Sequence, residues 1–149
     1  MKVFLGADHA GYELKTILSE HLAHTGHEVI DLGAKTLDEE DDYPRYAYAV
    51  ASRILGEEDD TALGILICGS GQGMSIAANR VNGVRAALSW STETAQLARE
   101  DDNANVLVFP SRFLDAEGAI AALDAFMHAE FKANPKYQRR LDELEQLYG

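Results

Sequence analysis

The chain has 149 residues, enough for one domain with a substantial buried core. Its 13 basic and 25 acidic residues give a formal charge of −12 at pH 7. Because nucleic acids and anionic membranes would repel so negative a surface, we expect neither as a partner. The single cysteine excludes an internal disulfide framework and is typical of a reducing compartment. The amino terminus leads directly into a predicted strand, with no signal peptide or membrane-length apolar run, so we expect a cytoplasmic protein.

The first half of the chain is predicted to form two strand–helix units. Val3–Leu5 is a short apolar run typical of a buried strand, and after the loop Gly6–Gly11 leucines recur at helical spacing. Glu28–Leu32 predicts the second strand. The acidic run Asp38–Asp42 follows, which we interpret as a solvated loop, and Pro44 suits the first turn of a second helix.

The second half repeats this alternation around a central strand. Ile65–Cys68 ends in a cysteine and is followed by alternate glycines and a helix that we expect to end near Asn82–Gly83. Val84–Leu88 and Val106–Phe109 predict the fourth and fifth strands. Three further helices are predicted to begin at Ser91, Asp115 and Pro135.

Five strands alternating with helices predict a doubly wound, Rossmann-like α/β domain over residues 1–149, with a five-stranded parallel sheet and helices on both faces. Ligands of such sheets bind outside the carboxyl ends of the strands. The extra C-terminal helix, within 131–149, is surplus to the sheet, and its apolar stripe predicts docking on the body or on a second subunit. The polar residues expected at the ligand-binding edge are Asp8, His9, Cys68–Gly73, Ser89–Ser91 and Ser111–Arg112.

The segment Cys68–Gly69–Ser70–Gly71–Gln72–Gly73 is the strongest candidate for a site. Glycines at alternate positions let several main-chain N–H groups converge on one point, and the following helix adds partial positive charge. A thiol there can have its pKa lowered from ~8.5 to ~3.5–7.5, so we expect a thiolate at neutral pH. The alternative interpretation is that Cys68 is a small buried hydrophobic residue and the glycines only turn the chain.

The residues of this loop distinguish between several possible chemistries. Its glycine spacing differs from the G-x-G-x-x-G of dinucleotide sites, and no Gly-Lys-Ser/Thr of a phosphate-binding P-loop is present. A cysteine phosphatase would need an arginine at position 74, which is Met74. The remaining interpretation makes Cys68 a base. Aldose–ketose isomerisation needs one base to move a proton between adjacent carbons and N–H groups to stabilise the enediolate.

Several motifs occur together in this chain, namely Gly6–Gly11, Asp42–Pro44, Cys68–Gly73, Ala77–Asn79, Asn105–Val106 and a basic terminal segment. The chain resembles the ribose-5-phosphate isomerase B family, which includes galactose-6-phosphate isomerase, over nearly its whole length. The resemblance implies a metal-independent isomerase of a phosphorylated monosaccharide, without a cofactor, acting as a homodimer or a dimer of dimers with sites at the subunit interface.

The resemblance also implies residue roles. Cys68 matches the catalytic base, and Ser70 matches a residue that handles the ring oxygen and carbonyl. Asp8 and Tyr43 match residues that contact sugar hydroxyls, next to the amides of Gly69, Gly71 and Gly73. The positions that match phosphate-binding residues are His9, Arg112, Lys136 and Arg140. The clustering of Lys132, Lys136, Arg139 and Arg140 in an acidic chain supports this phosphate assignment.

The chain departs from the family pattern at two places. Asp101–Asp102 stand where many members have His-Asn, and Lys136–Gln138 stand where the tail usually reads Arg-His-Gln. Either Asp101 opens the sugar ring while Asp102 contacts the substrate, or the preferred aldose phosphate is a different one. A third hypothesis is a non-catalytic sugar-phosphate-binding subunit.

His21, His24 and His27 lack the fixed spacing of a metal motif, so we expect no metal.

Overall fold

The computed structural model describes residues 1–58 and 60–149. Five parallel strands form one sheet in the order β2-β1-β3-β5-β4. The strands are β1 (Lys2–Ala7), β2 (Glu28–Asp31), β3 (Leu63–Cys68), β4 (Ala86–Leu88) and β5 (Val106–Pro110). The helices are α1 (Tyr12–His24), α2 (Tyr43–Gly56), α3 (Gln72–Ala78), α4 (Thr92–Asp102), α5 (Ala116–His128) and α6 (Pro135–Tyr148), and a short 3-10 helix covers His9–Gly11.

The core lies in two layers, one on each face of the sheet. The central strands β1, β3 and β5 are almost entirely buried, as expected for apolar runs covered by helices on both sides. Residues alternate along them, so Leu5 faces one layer and Phe4 the other. Helices α1, α4 and α5 cover the first layer, and α2 and α3 cover the second. The predicted doubly wound α/β fold with an extra C-terminal helix is confirmed.

The observed bounds differ from expectation mainly around α3. This helix ends at Ala78 rather than near Asn82–Gly83, and β4 begins at Ala86 rather than Val84. The side chain of Asn79 explains the difference, because its Oδ1 accepts from Ala86 N at 2.9 Å and its Nδ2 donates to Ala86 O at 2.9 Å. The two hydrogen bonds close the turn and fix the start of the edge strand.

The strand order places a switch point between β1 and β3. From β1 the chain passes to β2 on one side, whereas β3 and the later strands lie on the other side. A crevice opens at such a point beyond the carboxyl ends of the strands. We call this side of the sheet the carboxyl edge, and the side where the strands begin the amino edge.

Helix α6 stands apart from the sheet. None of its residues is buried, and its contacts with other elements are mainly with α4. A cleft of about 470 Å³ separates its last turns, at Leu144 and Tyr148, from the turn that leads into β4. In the part of the chain that the structure describes, no helix combines the length and apolarity needed to cross a membrane.

Candidate functional site

Cys68 is the last residue of β3 and lies at the switch point. It is 5% exposed. Burial raises the pKa of the Cys68 thiol, whereas hydrogen bonds from the main-chain N–H groups of Met74, Gly71 and Gly73 act in the opposite direction. The charge of Asp8 nearby raises the pKa further. The loop amides therefore converge on the sulfur as expected, but burial outweighs them, so the expected thiolate at neutral pH is wrong for this free chain.

The glycine loop has its shape for two reasons. Gly71 has φ +76°, a left-handed conformation that places it at the start of α3 and that other residues adopt only with strain. At Gly73 a Cβ atom would lie 2.6 Å from the ring of Tyr43. The ring of Tyr43, at the start of α2, therefore packs directly on the loop, which places the predicted sugar-contacting residue beside the amides. Ser70 is half-buried in the same loop, and its Oγ lies 3.4 Å from Gln72 N.

The loop after β5 carries Arg112 to the same place. Main-chain bonds run from Ser111 N to Cys68 O at 2.9 Å and from Arg112 N to Gly69 O at 3.0 Å. The Ser111 hydroxyl donates to Ala10 O at 2.8 Å and so connects this loop to the loop after β1. A Cβ at Gly69 would lie 3.0 Å from the Arg112 guanidinium. Among residues 1–58 and 60–149, no hydrogen bond or ion pair engages that guanidinium, which is available for an anion.

The loop after β1 places Asp8 and His9 on the other side of the crevice. Asp8 caps the short 3-10 helix by accepting from Ala10 N at 3.0 Å. Burial raises the pKa of the Asp8 carboxyl, although the charge of His9 and the main-chain hydrogen bonds oppose this. His9 keeps 36% of its side chain exposed.

Asp41 is the residue that sequence reasoning missed. The acidic run Asp38–Asp42 predicts a solvated loop, but the side chain of Asp41 is only 2% exposed. Its Oδ1 accepts from both His9 N at 2.9 Å and His9 Nδ1 at 2.8 Å, and its Oδ2 accepts from Tyr46 Oη at 3.1 Å. Its position between two charged neighbours in an acidic run gave no local signal of burial. Oxygen and nitrogen atoms of Asp8, His9 and Asp41 come within 4.8 Å of one another, an approach that the hydrogen bonds between His9 and Asp41 help to explain.

The other predicted site residues lie on the amino edge of the same chain. Asp101 and Asp102 end α4, which begins after the carboxyl end of β4 and returns to the start of β5. Lys132 is near them, since its Nζ lies 2.7 Å from Glu100 Oε2 and its N donates to Glu100 O. Within the described residues, no hydrogen bond or ion pair joins Lys136 or Arg140 of α6 to Cys68 or its loop. One chain thus brings together Asp8, His9, Tyr43, Cys68–Gly73 and Arg112, and separates Asp101, Asp102, Lys136 and Arg140 from them.

Fold and site together define a doubly wound α/β protein whose carboxyl edge has a crevice with a thiol and main-chain amides at its centre. Comparison with known proteins specifies this class. The sequence model described as Ribose/Galactose Isomerase matches residues 3–144. The chain belongs to the ribose/galactose isomerase family and is an aldose–ketose isomerase of a phosphorylated sugar.

Individual relatives are similar to this chain along nearly its whole length. Ribose-5-phosphate isomerase B of Mycobacterium tuberculosis is 49% identical over 97% of this chain and 88% of the relative. The protein of the same name from Mycolicibacterium paratuberculosis is 47% identical over 97% and 89%. The crystal structure of ribose-5-phosphate isomerase B from Mycoplasma genitalium, with bound ribulose-5-phosphate, superposes with a TM-score of 0.93 at 44% identity, covering 98% of this chain and 95% of that one.

Proposed function

We propose that the protein interconverts ribose 5-phosphate and ribulose 5-phosphate through an enediolate, with Cys68 as the base. The observation that carries this proposal is the sulfur at the switch point with three main-chain N–H groups directed at it. The relatives named for this reaction share the fold and nearly half of the sequence, and one of them binds ribulose 5-phosphate. The single cysteine also supports a reducing, cytoplasmic location.

The chemistry requires one proton to move between carbons 1 and 2, a second to move between their oxygens, and the negative charge of the enediolate to be stabilised. The Cys68 thiolate takes the proton from carbon 2 of the open-chain aldose, and the electron pair moves onto the carbonyl oxygen to form the enediolate. A proton passes from the hydroxyl on carbon 2 to the oxygen on carbon 1, which shifts the negative charge to the carbon 2 oxygen. The thiol then returns its proton to carbon 1, the electron pair on the carbon 2 oxygen forms a carbonyl there, and the ketose results. Burial keeps the thiolate scarce but makes it a stronger base, and the N–H groups of the loop stabilise it when it forms. Asp8 is close enough for its charge to act on the sulfur, and Ser70 lies half-buried in the glycine loop two positions after Cys68.

A substrate phosphate would bind between His9 and Arg112. Both side chains follow strands at the carboxyl edge, and the Arg112 guanidinium has no competing carboxylate among the described residues. A guanidinium and an imidazolium are suited to a dianion in a protein that is otherwise strongly negative.

We infer that the working unit is a homodimer in which the amino edge of one copy completes the carboxyl edge of the other. Lys136, Arg140, Asp101 and Asp102 cannot reach the site of their own chain if they stay on the amino edge. Helix α6, which buries no residue on its own chain, would dock on the partner subunit. Large apolar side chains surround the carboxyl edge and would be covered there, including Trp90 at 59% and Phe113 at 74% exposure.

Asp101–Asp102 favour a second candidate substrate. Two carboxylates beside a phosphorylated sugar are costly unless they accept hydrogen bonds from its hydroxyls, so a sugar with a different chain length or configuration would suit them. A panel of four- to six-carbon aldose phosphates decides between the two. The highest kcat/KM on ribose 5-phosphate would reject the altered substrate, and an increase in that value in Asp101→His would support it.

The test of the base uses solvent deuterium. The purified chain should incorporate deuterium from the solvent into the sugar phosphate, and Cys68→Ala should lower the rate by about 10³-fold, within the range for removing a general base. Cys68→Ser keeps a polar atom near the loop amides and should be almost as impaired, because a hydroxyl is a far weaker acid than a thiol. Exchange unchanged in Cys68→Ala would exclude the mechanism, and exchange absent from the wild type on every sugar phosphate would favour a non-catalytic binding subunit.

A further inference from the structure

The buried carboxylate of Asp41 has no role in the reaction described above, although it contacts a residue of the site. It belongs to the loop before α2 and lies 32 positions from His9 in sequence. Almost no solvent reaches it, and the imidazole of His9 takes up one of its oxygens. A buried carboxylate in this position acts on the ligand only through the histidine.

The hydrogen bonds fix which histidine nitrogen carries hydrogen. An ionised carboxylate only accepts, so the 2.8 Å contact requires Nδ1 of His9 to donate to Asp41 Oδ1. The same oxygen accepts from the main-chain N of His9, and Tyr46 Oη holds the other oxygen. The carboxylate is therefore fixed from two elements, and Nε2 is left as the ring nitrogen for a ligand.

The charges around His9 favour the imidazolium. The hydrogen bond to Asp41 raises the pKa of His9, burial opposes this, and the charges of Asp8, Asp41 and Glu39 raise it further. For Asp41 itself, burial acts to raise the pKa, but the hydrogen bonds from His9 and Tyr46 outweigh it and leave the pKa below the usual value. Cys68, at the end of the adjoining strand β3, is close enough to Asp8 for that charge to raise its pKa, and the Tyr43 ring and the Arg112 guanidinium lie against the loop that follows it.

We propose that Asp41 is a positioning residue that holds His9 as an imidazolium with Nε2–H available to the substrate's phosphate. This rests on the proposed phosphate site at His9 and Arg112. A neutral imidazole with hydrogen on Nδ1 would present the lone pair of Nε2 to an anion and would repel it. Asp41 thus converts a histidine that would otherwise be mostly neutral above its ordinary pKa into a phosphate donor.

The first test follows the inhibition constant of inorganic phosphate and the KM for ribose 5-phosphate from pH 5.5 to pH 8.5. In Asp41→Asn both constants should rise about ten-fold at pH 7.5, the lower end of the effect of losing one hydrogen bond to a charged group, with kcat much less affected. Near pH 5.5 the two proteins should converge, since His9 is then protonated in both. At each pH, each constant of the variant is divided by the same constant of the wild type, because this ratio removes the effect of the phosphate's own titration.

Matched variants separate this role from a structural one. Glu40→Gln removes an exposed charge from the neighbouring position and should leave the ratio near one at every pH. Tyr46→Phe removes a hydrogen bond to Asp41 and leaves the contact between Asp41 and His9 in place. Its ratio at pH 7.5 should therefore lie between those of Asp41→Asn and Glu40→Gln. A loss in Asp41→Asn that is equal at pH 5.5 and pH 8.5 would overturn the proposal.

A second readout does not depend on catalysis. Ring ¹⁵N shifts in histidine-labelled protein, with His9 assigned by its loss in His9→Asn, report tautomer and pKa directly. The apparent pKa of His9 should fall in Asp41→Asn, with loss of the Nδ1–H preference. An unchanged His9 titration would refute the role of Asp41 even in an active isomerase. A shifted titration in a protein that isomerises no sugar phosphate would instead refute the proposed function and leave the Asp41–His9 coupling intact.

Discussion

Polar residues at the two edges of the sheet use their hydrogen-bonding groups differently. At the amino edge they close turns: Asn105 accepts from Arg85 N and donates to Gly83 O, and the Arg99 guanidinium donates to Ala104 O at 2.7 Å. At the carboxyl edge main-chain hydrogen bonds of Ser111 N and Arg112 N close the loop after β5, and the side chains of Asp8 and Ser111 fix the loop after β1. Within the described residues, no hydrogen bond engages the Arg112 guanidinium or Nε2 of His9, so arginine side chains close turns at one edge while Arg112 is available to a ligand at the other.

The comparison also explains why one chain holds only half of the proposed site. The charged residues of the amino edge that close no turn, such as Asp101, Lys136 and Arg140, lie at the end of α4 and on α6. Parallel strands joined by helices place the ends of those helices far from the strand ends that they have just left. Such groups reach a substrate only if a second copy presents its amino edge to the first.

The largest expected effect comes from pairing two inactive chains. Cys68→Ala should lower kcat/KM by about 10³-fold. The double variant Lys136→Ala/Arg140→Ala should lower it by about 100-fold, from two lost charged hydrogen bonds. When the two chains are co-expressed with different tags and purified through both, one site of each heterodimer combines an intact Cys68 with an intact partner helix. Activity per dimer should therefore return to about half of the wild-type value.

A matched pair controls this experiment. Co-expression of Cys68→Ala with Cys68→Ser yields heterodimers that lack the sulfur at both sites, and these should stay inactive. If the first pair forms heterodimers by native mass spectrometry but recovers no activity, the two edges do not share a site.

A smaller effect is expected at the carboxyl edge from Gly73→Ala. The added methyl would lie 2.6 Å from the Tyr43 ring, so the ring must move away from the loop. Displacing a substrate-contacting group by about 1 Å typically costs 10- to 100-fold in rate, and we expect a fall of that size in kcat/KM. Tyr43→Phe keeps the ring in place and should lose less. Equal activity of Gly73→Ala and the wild type would remove Tyr43 from the site.

Local signals in the sequence predicted the helix starts and the site loops. Asp115 caps α5 by accepting from Gly118 N at 2.8 Å, Ser91 forms a capping box with Thr94, and Asn134 with Pro135 begins α6. Capping residues act within three or four positions of themselves, so the sequence contains the whole signal. The alternate glycines after Cys68 were informative for the same reason.

What the sequence could not predict depends on contacts between distant segments. The placement of β5 between β3 and β4 follows from how the helices pack on the finished sheet, and nothing within β4 specifies an edge position. The sequence predicts that Asp41 is solvated like the other acidic residues around it, because its burial depends on contacts with His9 and Tyr46. The raised pKa of Cys68 likewise comes from burial by the assembled chain rather than from its own loop.

The smallest expected effect on activity comes from a turn of the amino edge, where a substitution should lower stability and leave the activity almost unchanged. Asn79→Ala removes both side-chain hydrogen bonds to the main-chain N and O of Ala86, which should lower the free energy of unfolding by about 1–3 kcal/mol. Its amide faces β4 and not the glycine loop, so kcat/KM below the unfolding transition should change less than two-fold. Asn82→Ala, an exposed neighbour in the same turn, is the control for stability. A large loss of activity in folded Asn79→Ala would mean that the amino edge reaches the chemistry through its turns as well as through α6, and the division between the two edges would then be too simple.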